Sequence, residues 1–281
     1  VELEPARPWD VPESWPAQRW RDHFPQAAVR VTPALGLGGH LLVAAFSECS
    51  VSAREAGSPD PLPDGPVVYD AAGTVMMRVV FLLFAQERGL LPETALFSDA
   101  YGLAGCLDGL DARAQAEHEE SLDGTTEVWH RLLATSRLLH QGSSFEDLRM
   151  PSYGGSLFDP VRFPFLTAPA PTAGGSRGLA VRVSDRVMLH VLRSVQVAVV
   201  DGEARRLSFR DIDVEQIGYI YEGLLGYTCA TVDEPTLGII GSAGTEPEIP
   251  LATLEELHSI HPDPKKLATA IREWVSADQP S

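Results

Sequence analysis

Val75-Met76-Met77-Arg78-Val79-Val80-Phe81-Leu82-Leu83-Phe84-Ala85 is the stretch on which the fold turns, because ten of its eleven residues are apolar. A helix apolar on nearly every side belongs at the centre of a domain, with other elements around it. The spacing predicts that Asp70 caps its start, that Gly89 ends it as a C-cap and that Pro92 prevents its continuation. The run falls short of the roughly 18 to 20 residues needed to span a bilayer, and Arg78 interrupts it, so no membrane span is expected. An arginine on such a helix needs a carboxylate partner or a hydrogen-bonded rim position. Arg78, with Glu87 and Arg88 at the helix end, is therefore expected to hold structure rather than to perform chemistry.

Outward from this helix, Trp129, Leu132, Leu133 and Leu139 recur at helical spacing between Thr126 and Gly142, which predicts a second core helix. Asp185 is placed to cap a third, running through Val195. Val197 to Val200, the Asp201-Gly202 turn and Arg206 to Phe209 read as a short hairpin. Then comes a helix with Asp213 as N-cap, Gln216 completing a capping box and Gly226 as C-cap. Ile217, Ile220, Tyr221 and Leu224 form its apolar stripe. A short helix is expected near Leu251 to His258. A last one has Asp263 as cap and Pro264 in its first position, burying Leu267, Ile271, Trp274 and Val275.

Between these elements, Ser58 to Pro66 carries too many prolines for regular structure and reads as a linker or long loop. Pro151 to Gly175 is also irregular, with Tyr153, Phe158, Phe163 and Phe165 expected to pack over a core. Asp108 to Glu127 holds seven acids against Arg113 and reads as a solvated face. The expected fold is mainly α (α+β), a helical bundle-like connector domain with a short β-hairpin and long Pro/Gly-rich loops. Its divisions are a poorly defined segment 1–69, a helical core 70–227 and an acidic loop with a C-terminal helix at 228–281. In the first of these, one apolar run, Leu41 to Phe46, follows Gly36-Leu37-Gly38-Gly39-His40.

Composition narrows the function. Three unpaired-looking cysteines, Cys49, Cys106 and Cys229, argue against a disulfide framework or zinc ribbon and fit a reducing cytoplasm. A net charge of -17 repels nucleic acid over most of the surface, so DNA contact requires a local basic face. Arg177, Arg182, Arg186, Arg193, Arg205, Arg206 and Arg210 nominate one, with Arg205, Arg206 and Arg210 as the candidate DNA contacts.

Chemical motifs are sparse. The glycines of Leu237 to Gly244 have no strand-turn-helix setting, and no polar-Pro-Pro-aromatic loop is present to hold a flipped adenine. Asp263 of Asp263-Pro264-Lys265 is already explained as a cap. Glu255, His258 and His261 have ligand-like spacing but too few members for a metal centre. Ser208, Ser242 and the cysteines lack a nucleophile-elbow pattern. No catalytic, cofactor-binding or metal-binding residue is assigned.

Three blocks resemble, in order, large bacterial adenine-specific DNA methyltransferases of the Eco57I-like, type IIG restriction-modification kind and related phage-defence methylases. They are Arg78 to Pro92 (RVVFLLFAQERGLLP), Tyr153 to Pro160 (YGGSLFDP) and Leu207 to Leu225 (LSFRDIDVEQIGYIYEGLL). The resemblance implies a helical region preceding the methyltransferase domain, a connector that positions that domain or subunit and lines the DNA channel. S-adenosylmethionine is then expected for the parent protein and no cofactor for this chain. A chain starting at Val1 without a leader fits a piece of a longer polypeptide. Arg78, Glu87, Arg88, Tyr153, Asp211, Asp213, Tyr221 and Glu222 become interface or structural candidates. One alternative is a self-contained enzyme whose pocket, at the Tyr153 loop, gathers Glu87, Tyr153, Asp211 and Glu222. Another is a protein-protein interaction subunit.

Overall fold

The computed structural model describes residues 26–170, 178–200, 203–211, 236–238 and 247–278. They fall into two compact units, one within Phe24–Cys229 and one within Ala230–Ser281. The larger unit contains α1 (Gln26–Glu55), α2 (Gly65–Glu87), α3 (Ala95–Ala100), α4 (Cys106–Glu117), a 3-10 helix (Glu119–Gly124), α5 (Glu127–Gln141) and α6 (Asp185–Gln196). Two antiparallel hairpins join them, β1 (Ser143–Phe145) with β2 (Leu148–Met150), and β3 (Val197–Val200) with β4 (Glu203–Arg206). The fold is thus mainly helical with short two-stranded sheets. A hairpin is present after α6 as expected, but its second strand is Glu203–Arg206 and not Arg206 to Phe209, because Val200 pairs directly with Glu203 and Phe209 enters a 3-10 turn, whereas β1–β2 was not expected.

α2 is the central helix. It is long and apolar enough to cross a bilayer by length and composition, yet most of that stretch is buried inside the protein. Val75, Met76, Val79, Val80, Leu82 and Leu83 are all enclosed. α1 lies chiefly along α6 and also against α2, and α6 in turn touches α4 and α5. Phe46 of α1 has its ring 5.9 Å from Trp129 and 6.2 Å from Phe165. The indole Nε1 of Trp129 donates to the Val181 carbonyl at 3.3 Å, satisfying the polar end of a fully buried ring.

Two helix starts differ from the sequence expectation. α2 begins at Gly65, with Asp64 as N-cap and Pro66 in the first turn, not at Asp70. A proline there loses no helical hydrogen bond, so the helix extends back into the proline-rich stretch. Asp70 instead pairs with Arg162, whose Nη2 is 3.1 Å from Oδ2. At the other end the glycine expectation holds. Gly89 has φ 64°, its N–H donates to Gln86 O, and Leu90 N donates to Ala85 O, the paired hydrogen bonds of a Schellman ending.

α6 is capped by Ser184, whose Oγ accepts from Val187 N, and not by Asp185. Asp185 is fully buried and caps a different helix, accepting from Val128 N in the first turn of α5 at 2.9 Å. Arg113 Nη1 stands 3.7 Å from the other oxygen of Asp185. One residue thereby satisfies an orphan donor of its neighbour helix across 57 residues of sequence.

α1 runs through glycines that sequence alone does not favour in a helix. Packing explains Gly38: a β-carbon there would fall 2.9 Å from both Met76 Sδ and Ser194 Oγ, and nearer still to Met76 Cε. The glycine lets three helices approach more closely than any side chain would permit. Within the irregular stretch after β2, Phe158, Phe163 and Phe165 are buried as expected.

In the smaller unit, β5 (Thr236–Gly238) pairs antiparallel with β6 (Glu248–Pro250), followed by α7 (Leu251–Ile260) and α8 (Pro264–Asp278). Asp263 caps α8 as expected, accepting from Lys265 N and Lys266 N at 3.1 Å. Leu267, Ile271, Trp274 and Val275 are half-buried rather than enclosed. The β5–β6 pairing lies where a loop was expected.

Candidate functional site

Three of the sequence-predicted residues, Arg78, Glu87 and Arg88, stand on α2 or at its end. Arg78, 4% exposed, donates from Nε to Leu157 O at 2.7 Å and from Nη2 to Asp159 O at 3.4 Å. Burial first, and then the charge of Arg162, push its guanidinium down to about 10, with Asp159 opposing. It remains protonated at neutral pH. Its partners are carbonyl oxygens where a carboxylate was one expectation, so Arg78 fastens the backbone of the Tyr153 to Pro160 block. The Asp159 carboxylate turns back on its own loop, with Oδ1 accepting from Val161 N at 2.8 Å, and lies 4.0 Å from His140 Nε2.

The C-terminal end of α2 does the same for the third block. Glu87 Oε2 accepts from Phe209 N at 2.9 Å, Arg210 N at 3.1 Å and Ser208 Oγ at 3.2 Å. Arg88 Nη2 donates to Arg210 O at 2.9 Å, and its guanidinium lies 4.8 Å from the Phe84 ring centroid. Phe209, fully buried, plugs the 3-10 turn Phe209–Asp211 into the core. Gln86, which sequence reasoning missed, accepts from Leu103 N and Ala104 N. These residues, with Gly89, Glu93, Ser208 and Arg210, line an open groove of about 900 Å³. The described parts of three stretches, Arg78 to Pro92, Tyr153 to Pro160 and Leu207 to Asp211, are thus tied together by Arg78, Glu87 and Arg88 of α2 and its C-terminal end.

Tyr153 is not part of this groove. It is 60% exposed, and its backbone N–H caps the end of α5 by donating to Leu139 O. Glu87 and Tyr153 therefore do not line one pocket. Asp211 closes the 3-10 turn beside the groove. Asp213, Tyr221 and Glu222, with the rest of the capped helix expected there, lie outside the described residues, as does Arg177.

The arginine stripe is largely engaged by the acidic stretch. Arg186 reaches Glu119 at 3.3 Å and Asp123 at 3.1 Å, and Arg193 reaches Asp111 at 2.6 Å and Glu119 at 3.5 Å. Arg206 pairs with Asp108 at 2.5 Å and also donates to Ala104 O and Gln196 Oε1. Leu107, Leu110 and Leu122 anchor the acidic segment in the core. Asp108, Asp111, Glu119 and Asp123 thus pair with α6 and β4, while Glu117, Glu120 and Glu127 are exposed, so the solvated face expected there is also partly a paired layer. Burial raises the Glu119 carboxyl, but His190 and Arg186 as hydrogen-bond donors, and the charges of His190 and Arg193, outweigh it and hold the group below the ordinary glutamate range. Arg205 and Arg210 are exposed.

Among the described residues no three His, Cys, Asp or Glu side chains are grouped to hold a metal ion. Glu255 and His258 are exposed on α7. Cys49 Sγ is engaged with the backbone N–H and C=O of Arg182, and burial pushes the Cys106 thiol up, away from thiolate chemistry. Residues 239–246 of the glycine-rich stretch lie outside the described residues, and the strands flanking them pair antiparallel. No protein-family model, no curated protein and no solved structure matches this chain.

Proposed function

We propose that this chain is a non-catalytic helical module of a DNA-modifying restriction-modification or phage-defence protein, whose task is to hold an adenine-N6 methyltransferase domain in position. The observation that carries this reading is that Arg78, Glu87 and Arg88 of the first resembling block hold the backbone of the second and of the described start of the third, Leu207 to Asp211. Glu87, which a catalytic reading would recruit, is occupied by the backbone N–H groups of Phe209 and Arg210, as suits a scaffold. S-adenosylmethionine belongs, in this reading, to the methyltransferase domain or subunit, and the setting is cytoplasmic. DNA meets the module at Arg205 and Arg210, while Arg206 divides its charge with Asp108.

The native gene tests the reading directly. Codons following Ser281, or an adjacent gene, are expected to encode a glycine-rich cofactor loop and an Asn-Pro-Pro-aromatic motif; a stop codon with no such neighbour overturns it. DNA contact is tested by fluorescence anisotropy with duplex DNA. Binding is expected to be weak and strongly salt-dependent, and to fall when Arg205, Arg206 and Arg210 are changed to Glu. Arg210→Glu alone is the cleaner probe, since it leaves the Arg206–Asp108 pair in place. Unchanged binding in both variants removes the DNA-contact part.

A further inference from the structure

We propose that Glu87 and Arg88 form a clamp that fixes the position and direction of the Phe209–Asp211 turn at the C-terminal end of α2 and that opens as a local unit. An anionic side chain in the last turn of a helix sits against the negative end of the helix dipole, where a cation would be favoured. Glu87 occupies such a place, and three donors from residues 208–210 offset the penalty. Arg88 grips the same turn from its other polarity, taking the Arg210 carbonyl while its own guanidinium is steadied over Phe84. One residue reads N–H groups and the next reads C=O, so the pair defines the orientation of the turn as well as its position. Phe209 between them is the apolar plug.

The clamp holds Phe209 and Arg210 by main-chain atoms and Ser208 by its hydroxyl, so the Arg210 side chain is not one of its parts. Its polar residues Glu87, Arg88, Ser208 and Arg210 stand at the rim of the open groove, while Phe209 beneath them belongs to the packed core. The hydrogen bonds can therefore open to solvent ahead of the core, as local opening draws on regions with solvent-accessible hydrogen bonds. The clamp does not depend on the preceding proposal. Its consequence for methyl transfer, that Glu87 and Arg88 are positioning residues for the catalytic domain, does rest on that reading.

Amide hydrogen exchange on the full chain tests it. Glu87→Ala is expected to accelerate exchange at Phe209 and Arg210 by about tenfold or more, since charge-assisted hydrogen bonds are lost. Leu132 in α5 and Leu192 in α6 keep their wild-type rates. Glu87→Gln, which retains an acceptor oxygen, gives an intermediate acceleration and serves as the readout should the alanine variant fold poorly. Unchanged exchange at Phe209 and Arg210 overturns the clamp, and so does acceleration spread equally over α5 and α6. Confined acceleration in a chain with no neighbouring methyltransferase keeps the clamp and discards the DNA-modifying reading. A downstream methyltransferase with unchanged exchange does the reverse.

Discussion

Arg78 and Arg193 both stand on core-forming helices, yet the protein treats their charges in opposite ways. Arg78 is 4% exposed and gives its donors to two carbonyl groups of one loop, while the side chain of Arg193 is 38% exposed and faces two carboxylates. The difference lies in what a missing partner costs. In the interior an unpaired polar group forfeits its hydration outright, whereas at the surface water and salt replace most of what a lost ion pair provided. Geometry matters more than formal charge at Arg78. At Arg193 the formal charges are opposite and close, and still little stability follows.

The contrast breaks most visibly at Arg78. Arg78→Ala strips donors from Leu157 O and Asp159 O and empties buried volume, so denaturant unfolding is expected to show a loss of about 3 kcal/mol. A loss below about 1 kcal/mol would mean that Phe158 and Phe163 hold the loop without it. Asp185 extends the comparison to a buried anion. Asp185→Ala removes the acceptor for Val128 N and is expected to cost about 2 kcal/mol, with Asp185→Asn recovering part of it through the retained oxygen. Equal losses in the two variants would show that charge, not capping, is what matters there.

The surface network supplies the smallest effects. Arg193→Ala is expected to cost about 0.5 kcal/mol and to become indistinguishable from wild type at high salt. Glu119 gives its pH signature. Because its folded pKa is lowered, its contribution is complete above the ordinary glutamate range and drains away as pH falls through the lowered value. Thermal midpoints measured across acid pH should therefore decline less steeply in Glu119→Gln than in wild type. A steeper decline in the variant would reverse the assigned direction of the shift.

What the sequence disclosed followed the range of each interaction. α2, α5 and the β3–β4 hairpin were legible because their signals, an unbroken apolar run, a helical spacing and an Asp-Gly turn, lie within the elements themselves. α1 was not, since Gly36, Gly38 and Gly39 weaken a helix locally and only the helix packing at Gly38 shows why one of them is needed. Asp185 was legible as a capping residue but assigned to the wrong helix, because a local cap is the only kind sequence proximity can suggest. The acidic stretch has its arginine partners as many as 98 residues away, so its pairing could not be read from its own composition. At the candidate site Arg78 and Glu87 stood out by residue type and place, while their carbonyl and amide partners, anonymous in sequence, emerged only with the fold.

Gly38, Met76 and Ser194 come from three helices and occupy what amounts to one shared volume. Sequences descending from this one cannot drift at these sites independently. Gain of a methyl at position 38 becomes tolerable when the side chains at positions 76 and 194 have both shifted or become smaller, so mutation order matters as much as mutation identity. Across a lineage the three positions should covary as a set, and such a covariation signal would mark kinship of fold even where little else in the sequence remains comparable.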